Sequence, residues 1–184
     1  EPSLFEDLQM PRPDHFLGVD CVNLNELTGR VMSEFEAYLN AHPTDVVIVV
    51  DDLASTMAVA IVTKKCGITL AHLVAGTRSF DITMPKEINR LVIDGLSDLL
   101  FTAGIASNSN AARGGAESNR IYMVGNVLMD SLRAAHDRLK RPAIMDKLKL
   151  EAGEYLVLTL NRKALMSDKE KMKRLLTTVC EAGM

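Results

Sequence analysis

The chain has 184 residues, more than the usual single domain of roughly 100–150 and short of two such domains. Hydrophobic residues make up 47%, charged residues 24% and aromatics 4%, which excludes disordered and collagen-like classes and predicts an aliphatic core of Val, Leu, Ile, Ala and Met. A net charge of −3 with a pI of about 5.8 excludes a strongly basic polyanion-binding surface, so nucleic acid is not an expected partner.

In chain order, Pro11-Arg12-Pro13 precedes an amphipathic segment, Leu24–Leu39, expected to be a helix packed on a sheet. Val46–Val50, five apolar residues in succession, predicts a fully buried strand with no solvent face. Asp51-Asp52 follow it. Leu53–Cys66, with Leu53, Met57, Ala60 and Ile61 spaced by three or four, predicts a helix closed by Gly67. Ile68–Val74 predicts the next strand. A loop rich in turn-formers, Ala75–Thr83, leads to Pro85, which suits the first turn of a helix because its missing N–H costs nothing there.

Further along, Leu99–Thr102 predicts a short strand, Ala106–Ala112 a helix, and Arg120–Val124 another strand after Gly114-Gly115. Asn126 is placed to cap a helix running to Lys140, stopped by Arg141-Pro142. Beyond it, a helix over Ala143–Leu150, a strand over Tyr155–Leu160 and a helix over Lys169–Cys180 are expected. Short apolar runs alternating with amphipathic ones predict an α/β fold, a Rossmann-like doubly wound parallel sheet. The expected organisation is a first domain over 1–141 and the opening of a second over 142–184, since one strand and two helices cannot bury a core.

Three dispersed cysteines, Cys21, Cys66 and Cys180, argue against a disulfide framework or a C-x-x-C metal site. No apolar run reaches the ~18–20 residues that span a bilayer, and Glu1–Glu6 has no leader-like pattern. A cytoplasmic location without membrane partners is expected.

Ligands of open α/β sheets gather at the carboxyl ends of the strands. The polar residues falling there are Asp51-Asp52, Arg78 and Asp81, and Asn126. Together they predict a polar pocket with Asp52 the best-placed group for acid–base work. Alternatives remain for each: Asp51 or Asp52 as a helix N-cap, Asn126 as a cap, Arg78 as a solvated charge, and His72 as a hydrogen-bonded core histidine.

Ala71-His72-Leu73-Val74-Ala75-Gly76-Thr77-Arg78-Ser79-Phe80-Asp81, then Met84-Pro85-Lys86-Glu87-Ile88-Asn89-Arg90, then Val124-Gly125-Asn126-Val127 with Asp130 resemble the UDP-N-acetylglucosamine 2-epimerase family, non-hydrolysing type. The likeness runs from Leu4 to about Ser167. It implies a glycosyltransferase-B-like pair of Rossmann-like domains with a sugar nucleotide between them, here without the family's first strand and with the second domain incomplete. It implies an isomerase of nucleotide-sugar metabolism, feeding cell-surface polysaccharide biosynthesis. The reaction interconverts UDP-N-acetylglucosamine and UDP-N-acetylmannosamine by UDP elimination and re-addition, with no cofactor or metal, in a homodimer.

Carried over by position, Asp52 matches the family's catalytic aspartate and Glu87 the second glutamate of Pro-Glu-Glu-x-Asn-Arg. Arg78, Arg90, Asn126 and Arg162 match substrate-binding positions. Three positions differ from the family pattern: Val74 replaces a glutamate, Lys86 the first glutamate, and Asn161 a histidine. Asparagine carries no proton near neutral pH. A cation in a first helical turn opposes the helix dipole unless an anion compensates, so Lys86 is expected to face Asp52, Asp81 or a ligand phosphate. Two other readings stay open. One is a catalytically degenerate sugar-nucleotide binder or scaffold. The other is a phosphoacceptor receiver domain, in which Asp51-Asp52 would hold Mg²⁺ and Asp94 would accept the phosphoryl group.

Overall fold

The computed structural model describes residues 5, 6, 8–160 and 163–182. Two compact units divide it, Glu1–Asp137 and Arg138–Met184.

In the first unit, α1 (Leu24–Ala41) starts at Asn23, whose side chain accepts from the Asn25 and Glu26 N–H groups and so satisfies donors the helix cannot. β1 (Val46–Val50), α2 (Ala54–Lys65), β2 (Thr69–Ala75), α3 (Pro85–Leu96), β3 (Leu99–Thr102), α4 (Ile105–Arg113), β4 (Ile121–Met123) and α5 (Leu128–Ala135) follow. The strands are parallel in the order β1-β2-β3-β4. An order that rises without reversal, with right-handed crossovers, places successive crossover helices on one face of the sheet. The contacts agree. Val49 and Leu70 pack with Ala60 of α2 and Ile93 of α3, and Leu100 packs with Ala111 of α4.

That one-sidedness corrects the expectation for Val46–Val50. Val47 and Val49 face the helices, but Val46, Ile48 and Val50 are 46%, 61% and 50% exposed, because among the described residues β1 is at the end of the sheet and no crossover helix covers its other face. A second correction concerns α1, which packs chiefly on α2 rather than on the sheet. The predicted cap role for Asp51 or Asp52 is not realised either: Leu53 is the N-cap residue of α2, without a side-chain cap bond.

β2 carries the feature that shapes the site. Leu73 pairs with Phe101 and Ala75 with Thr102, so Val74 is an extra residue on its strand, and its φ is +66°. A β-branched residue in left-handed conformation is strained by roughly 1–3 kcal/mol. The bulge turns Ala75 to the helix side, where it is fully buried with Leu100 and Ala111, and brings Gly76 against α4.

The helix predicted from Asn126 to Lys140 is shorter, with a 3₁₀ turn over His136–Arg138 after α5. In the second unit, α6 (Ala143–Leu148), α7 (Lys163–Met166) and α8 (Lys169–Ala182) form. Tyr155–Leu160 is not a strand, since a lone extended segment has no neighbour to take its backbone hydrogen bonds. Leu156 and Val157 are exposed, and no described residue of this unit is buried.

Candidate functional site

The polar cluster forms where β1 and β2 end and α3 begins. Asp51 leaves β1 with φ +68°, turning the chain so that Asp52 drops under the first turn of α3. Asn89 Nδ2 donates to the Asp52 carbonyl at 2.8 Å, fixing that turn. The Asp52 side chain is 5% exposed, yet it is ringed by cations. Arg90 places Nε at 2.8 Å and Nη2 at 2.6 Å from Oδ2, and Lys86 Nζ stands 3.0 Å from Oδ1.

Lys86 is the neighbour of Oδ1, which is otherwise buried, so the contact is held chiefly as an ion pair. Burial raises the Asp52 pKa, but Lys86 and Arg90 outweigh it and hold the carboxyl below its ordinary value. Asp52 is therefore an ionised carboxylate at neutral pH, and the compensation expected for Lys86 comes from Asp52.

Glu87, 3% exposed, has a different surrounding. Its Oε2 accepts from the Ser79 N–H (2.9 Å), the Ser79 hydroxyl (2.8 Å) and Arg90 Nη1 (3.1 Å), and Oε1 accepts from the Phe80 N–H (3.2 Å). Burial opposes ionisation here too, but these donors, led by the Ser79 N–H and hydroxyl, bring the pKa down to about 2. The carboxylate ties the loop after β2 to α3. A folded pKa below the unfolded value of about 4.3 adds stability that is complete above pH ~4.3 and is lost as pH falls towards 2. Acid titration of Glu87→Gln should lack the part of the wild-type stability loss between those limits, measured as unfolding free energy against pH.

Of the two readings for Arg78, the solvated loop charge is the one that does not hold. Its side chain is 6% exposed. Nη1 donates to the Thr77 carbonyl at 2.9 Å and lies 2.6 Å from Asp94 Oδ2. Asp94 also takes His72 Nδ1 on Oδ1 at 2.7 Å and the Gly76 N–H on Oδ2 at 3.0 Å. Its pKa lies below the ordinary value although burial pushes it upward, because His72 and then Arg78 stabilise the anion. His72 is thus a hydrogen-bonded core residue whose Nε2 lies 3.3 Å from the Asp51 carbonyl, linking the Asp94 cluster to the turn before Asp52.

This arrangement removes the receiver-domain reading. A phosphoacceptor must stand at a strand end open to Mg²⁺, whereas Asp94 lies within α3, 6% exposed and fully engaged. Asp81 is exposed and accepts from the Thr83 N–H and hydroxyl. Asn126 follows β4, three strands from β1 and so about 14 Å away across the sheet. There its Oδ1 accepts from the Leu128 N–H at 3.1 Å, while Val127 is the N-cap residue of α5 and makes no side-chain cap bond. Asn161 and Arg162 lie outside the described residues. Among the described residues no group of three or more His, Cys, Asp or Glu side chains is placed to hold a metal ion, and no helix is long and apolar enough to cross a membrane.

The structure therefore gathers Asp52, Lys86, Glu87 and Arg90, sets Arg78 one layer deeper, and leaves Asn126 apart. Sequence reasoning missed Asn89 and Asp94 as organisers. Asn89 lies four residues before the buried Ile93 and Asp94 four after Arg90 on α3, and that periodicity is the signal that marks them as inward-facing.

The family model described as UDP-N-acetylglucosamine 2-epimerase matches residues 2–183. The chain is 34% identical over 181 residues to the UDP-N-acetylglucosamine 2-epimerase of Methanocaldococcus jannaschii, covering 96% of this chain and 49% of that protein. Over 129 residues it is 36% identical to the UDP-2,3-diacetamido-2,3-dideoxy-D-glucuronate 2-epimerase of Pseudomonas aeruginosa, covering 69% and 36% of the two chains. The crystal structure of the M. jannaschii enzyme in complex with UDP-GlcNAc and UDP superimposes with a TM-score of 0.82 at 34% identity, over 98% of this chain and 50% of that one. The chain spans about half the length of these relatives or less.

Proposed function

The chain belongs to the UDP-N-acetylglucosamine 2-epimerase family, and we propose that it provides the first-domain wall of a site interconverting UDP-N-acetylglucosamine and its C2 epimer. The observation that carries this reading is Asp52: a buried, ionised carboxylate at the carboxyl end of a parallel strand, held between Lys86 and Arg90. Such a group can take the proton from C2 of the sugar. Arg90 and Lys86 then hold Asp52 ionised before the transfer, and the exposed ammonium of Lys86 stands where negative charge on a departing diphosphate can be met.

Glu87, committed to the loop after β2, acts as a positioning residue that fixes Ser79 and Phe80 and, through Arg90, Asp52. Arg78, Asn126 and Arg162 are proposed contacts to the nucleotide sugar, Arg78 by way of the loop it braces. Residues 1–141 form the first domain and 142–184 the opening of the second, in a cytoplasmic homodimer. The free thiols of Cys21, Cys66 and Cys180 accord with a reducing compartment.

A second reading, a binder of UDP-sugars without turnover, is favoured by Val74. An alkyl group stands at the end of β2 where a second acid–base group would serve, and epimerisation needs a proton to leave one face of C2 and return to the other. Incubation with UDP-N-acetylglucosamine in D₂O separates the two. The epimerase reading predicts the C2 epimer with deuterium at C2, and a loss of at least ~100-fold in Asp52→Asn. A rise in Tm with the UDP-sugar but no deuterium would establish the binder. Neither signal would end both readings.

A further inference from the structure

Two cations hold the Asp52 carboxylate, and they hold it unequally. Arg90 is fixed on both sides. Its Nε and Nη2 reach Oδ2 at 2.8 and 2.6 Å, its Nη1 reaches Glu87 Oε2 at 3.1 Å, and Glu87 is itself bound by Ser79 and Phe80. Lys86 has one such contact among the described residues, 3.0 Å from Nζ to Oδ1, and its side chain is 55% exposed against 18% for Arg90. An ammonium on four methylenes, standing mostly in water, can swing away, whereas a planar guanidinium shared between two buried carboxylates cannot. Lys86 is therefore the removable cation. Among the described residues the other ionisable groups nearby do not touch the carboxylate: Glu87 reaches it only through Arg90, His72 only through the Asp51 carbonyl, and Asp51 and Asp81 are exposed.

Removal matters because the pair that ionises Asp52 also weakens it as a base. An opposite charge in contact lowers the proton affinity of a carboxylate by roughly 1–3 pH units, and proton transfer works best from a base whose pKa lies near the working pH. With both cations in place, Asp52 is charged but covered. With Lys86 swung away, Oδ1 is uncovered, and burial, which opposes the charged form, acts against a single cation. A ligand shifts such an equilibrium only by its preference for one of the two states, so whatever draws Lys86 off must bind the ammonium better than one carboxylate oxygen does. A diphosphate, with a charge on each phosphate and several acceptor oxygens, meets that need. The hydroxyls and amide of a neutral sugar do not.

We infer that Lys86 is a gate on Asp52 worked by the ligand's own phosphate: the ammonium covers Oδ1 in the free chain and leaves it for the diphosphate when a nucleotide sugar binds. This rests on the nucleotide-sugar reading above and adds to it a residue that determines specificity. An unphosphorylated sugar in the same place leaves the gate shut. Binding of the anion and uptake of a proton by Asp52 become linked, since one step removes a positive charge from the carboxylate.

Carboxyl carbon NMR of the full chain reads the gate directly, at constant ionic strength because salt alone would loosen the pair. Saturating UDP-N-acetylglucosamine, whose diphosphate is esterified at both ends and does not titrate in this range, should raise the Asp52 titration midpoint by about 1 pH unit or more. N-acetylglucosamine should leave it unchanged. In Lys86→Met the midpoint should be high from the start and indifferent to the UDP-sugar. That variant should bind the UDP-sugar roughly 10-fold more weakly, the low end for a charged contact because Lys86 gives up one anion to gain another. A wild-type midpoint that stays put or falls with the UDP-sugar bound, one that rises with N-acetylglucosamine, or equal affinity in Lys86→Met overturns the gate and leaves the nucleotide-sugar reading intact. No binding of the UDP-sugar by wild type, seen as an unchanged Tm, overturns both.

Discussion

Gly76→Ala should cost on the order of 4 kcal/mol or more of unfolding free energy, enough to leave much of the chain unfolded given a usual total of about 5–15 kcal/mol. The φ of Gly76 is +73°, and a Cβ placed there would lie 2.1 Å from the Ser107 carbonyl oxygen and 2.8 Å from its carbon. Backbone cannot yield as a flexible side chain can, because the Ser107 carbonyl belongs to α4. Moving it would also disturb the Gly76 carbonyl, which accepts from Asn110 Nδ2 at 3.1 Å. Gly67→Ala is the control. It shares the left-handed backbone, with φ +74° and nothing within 4 Å of an added Cβ, and should cost only about 1 kcal/mol. Chemical denaturation of both variants measures the difference. Equal losses at the two positions would show that α4 does not press on the β2 turn as described.

Asp94→Ala should be the second large loss, about 3–5 kcal/mol, the usual consequence of removing one partner from a buried charge pair. It would leave Arg78, 6% exposed, without its carboxylate, and the Gly76 N–H and His72 Nδ1 without their acceptor. The double variant Asp94→Ala with Arg78→Leu should recover part of the loss, because the stranded charge disappears with its partner. Strict additivity of the two single losses, from urea midpoints at constant m, would mean that the pair is not coupled. The depressed Asp94 pKa fixes the sign with pH. Its stabilisation is fully present above the ordinary carboxylate pKa of about 3.9 and is lost as pH falls through the lower folded value, so wild type and variant should converge in acid.

Both sites depend on the β2 bulge, a feature the sequence hid. Nothing in Leu73-Val74-Ala75-Gly76 announces a left-handed valine, since β-branched residues favour the extended region everywhere else. The strain is tolerated because Ala75 becomes fully buried and Gly76 gains the Asp94 carboxylate. Lys86 was more legible. A cation in the first turn of a helix demands a compensating anion, and Asp52 supplies it. The burial of Arg78 was not legible. Loop position says nothing about whether a side chain turns inward, and Asp94, its partner, lies sixteen residues away on a helix whose inward face is set by packing.

Local chemistry written in the sequence determined most of the elements: the apolar run of β1, the proline that starts α3, the glycine that ends α2, and the ordered motifs that mark the family. These are short-range matters of periodicity, backbone freedom and side-chain type, and they need no partner to act. Tertiary structure alone decided what depended on neighbours. It left Val46, Ile48 and Val50 in solvent because the crossover helices lie on the other face. It gave Tyr155–Leu160 no ladder, because its own unit has no strand among the described residues. It also made Asp52, one carboxylate among many in the sequence, a buried, ionised group between two cations, because burial and charge at a point are sums over residues that only folding brings together.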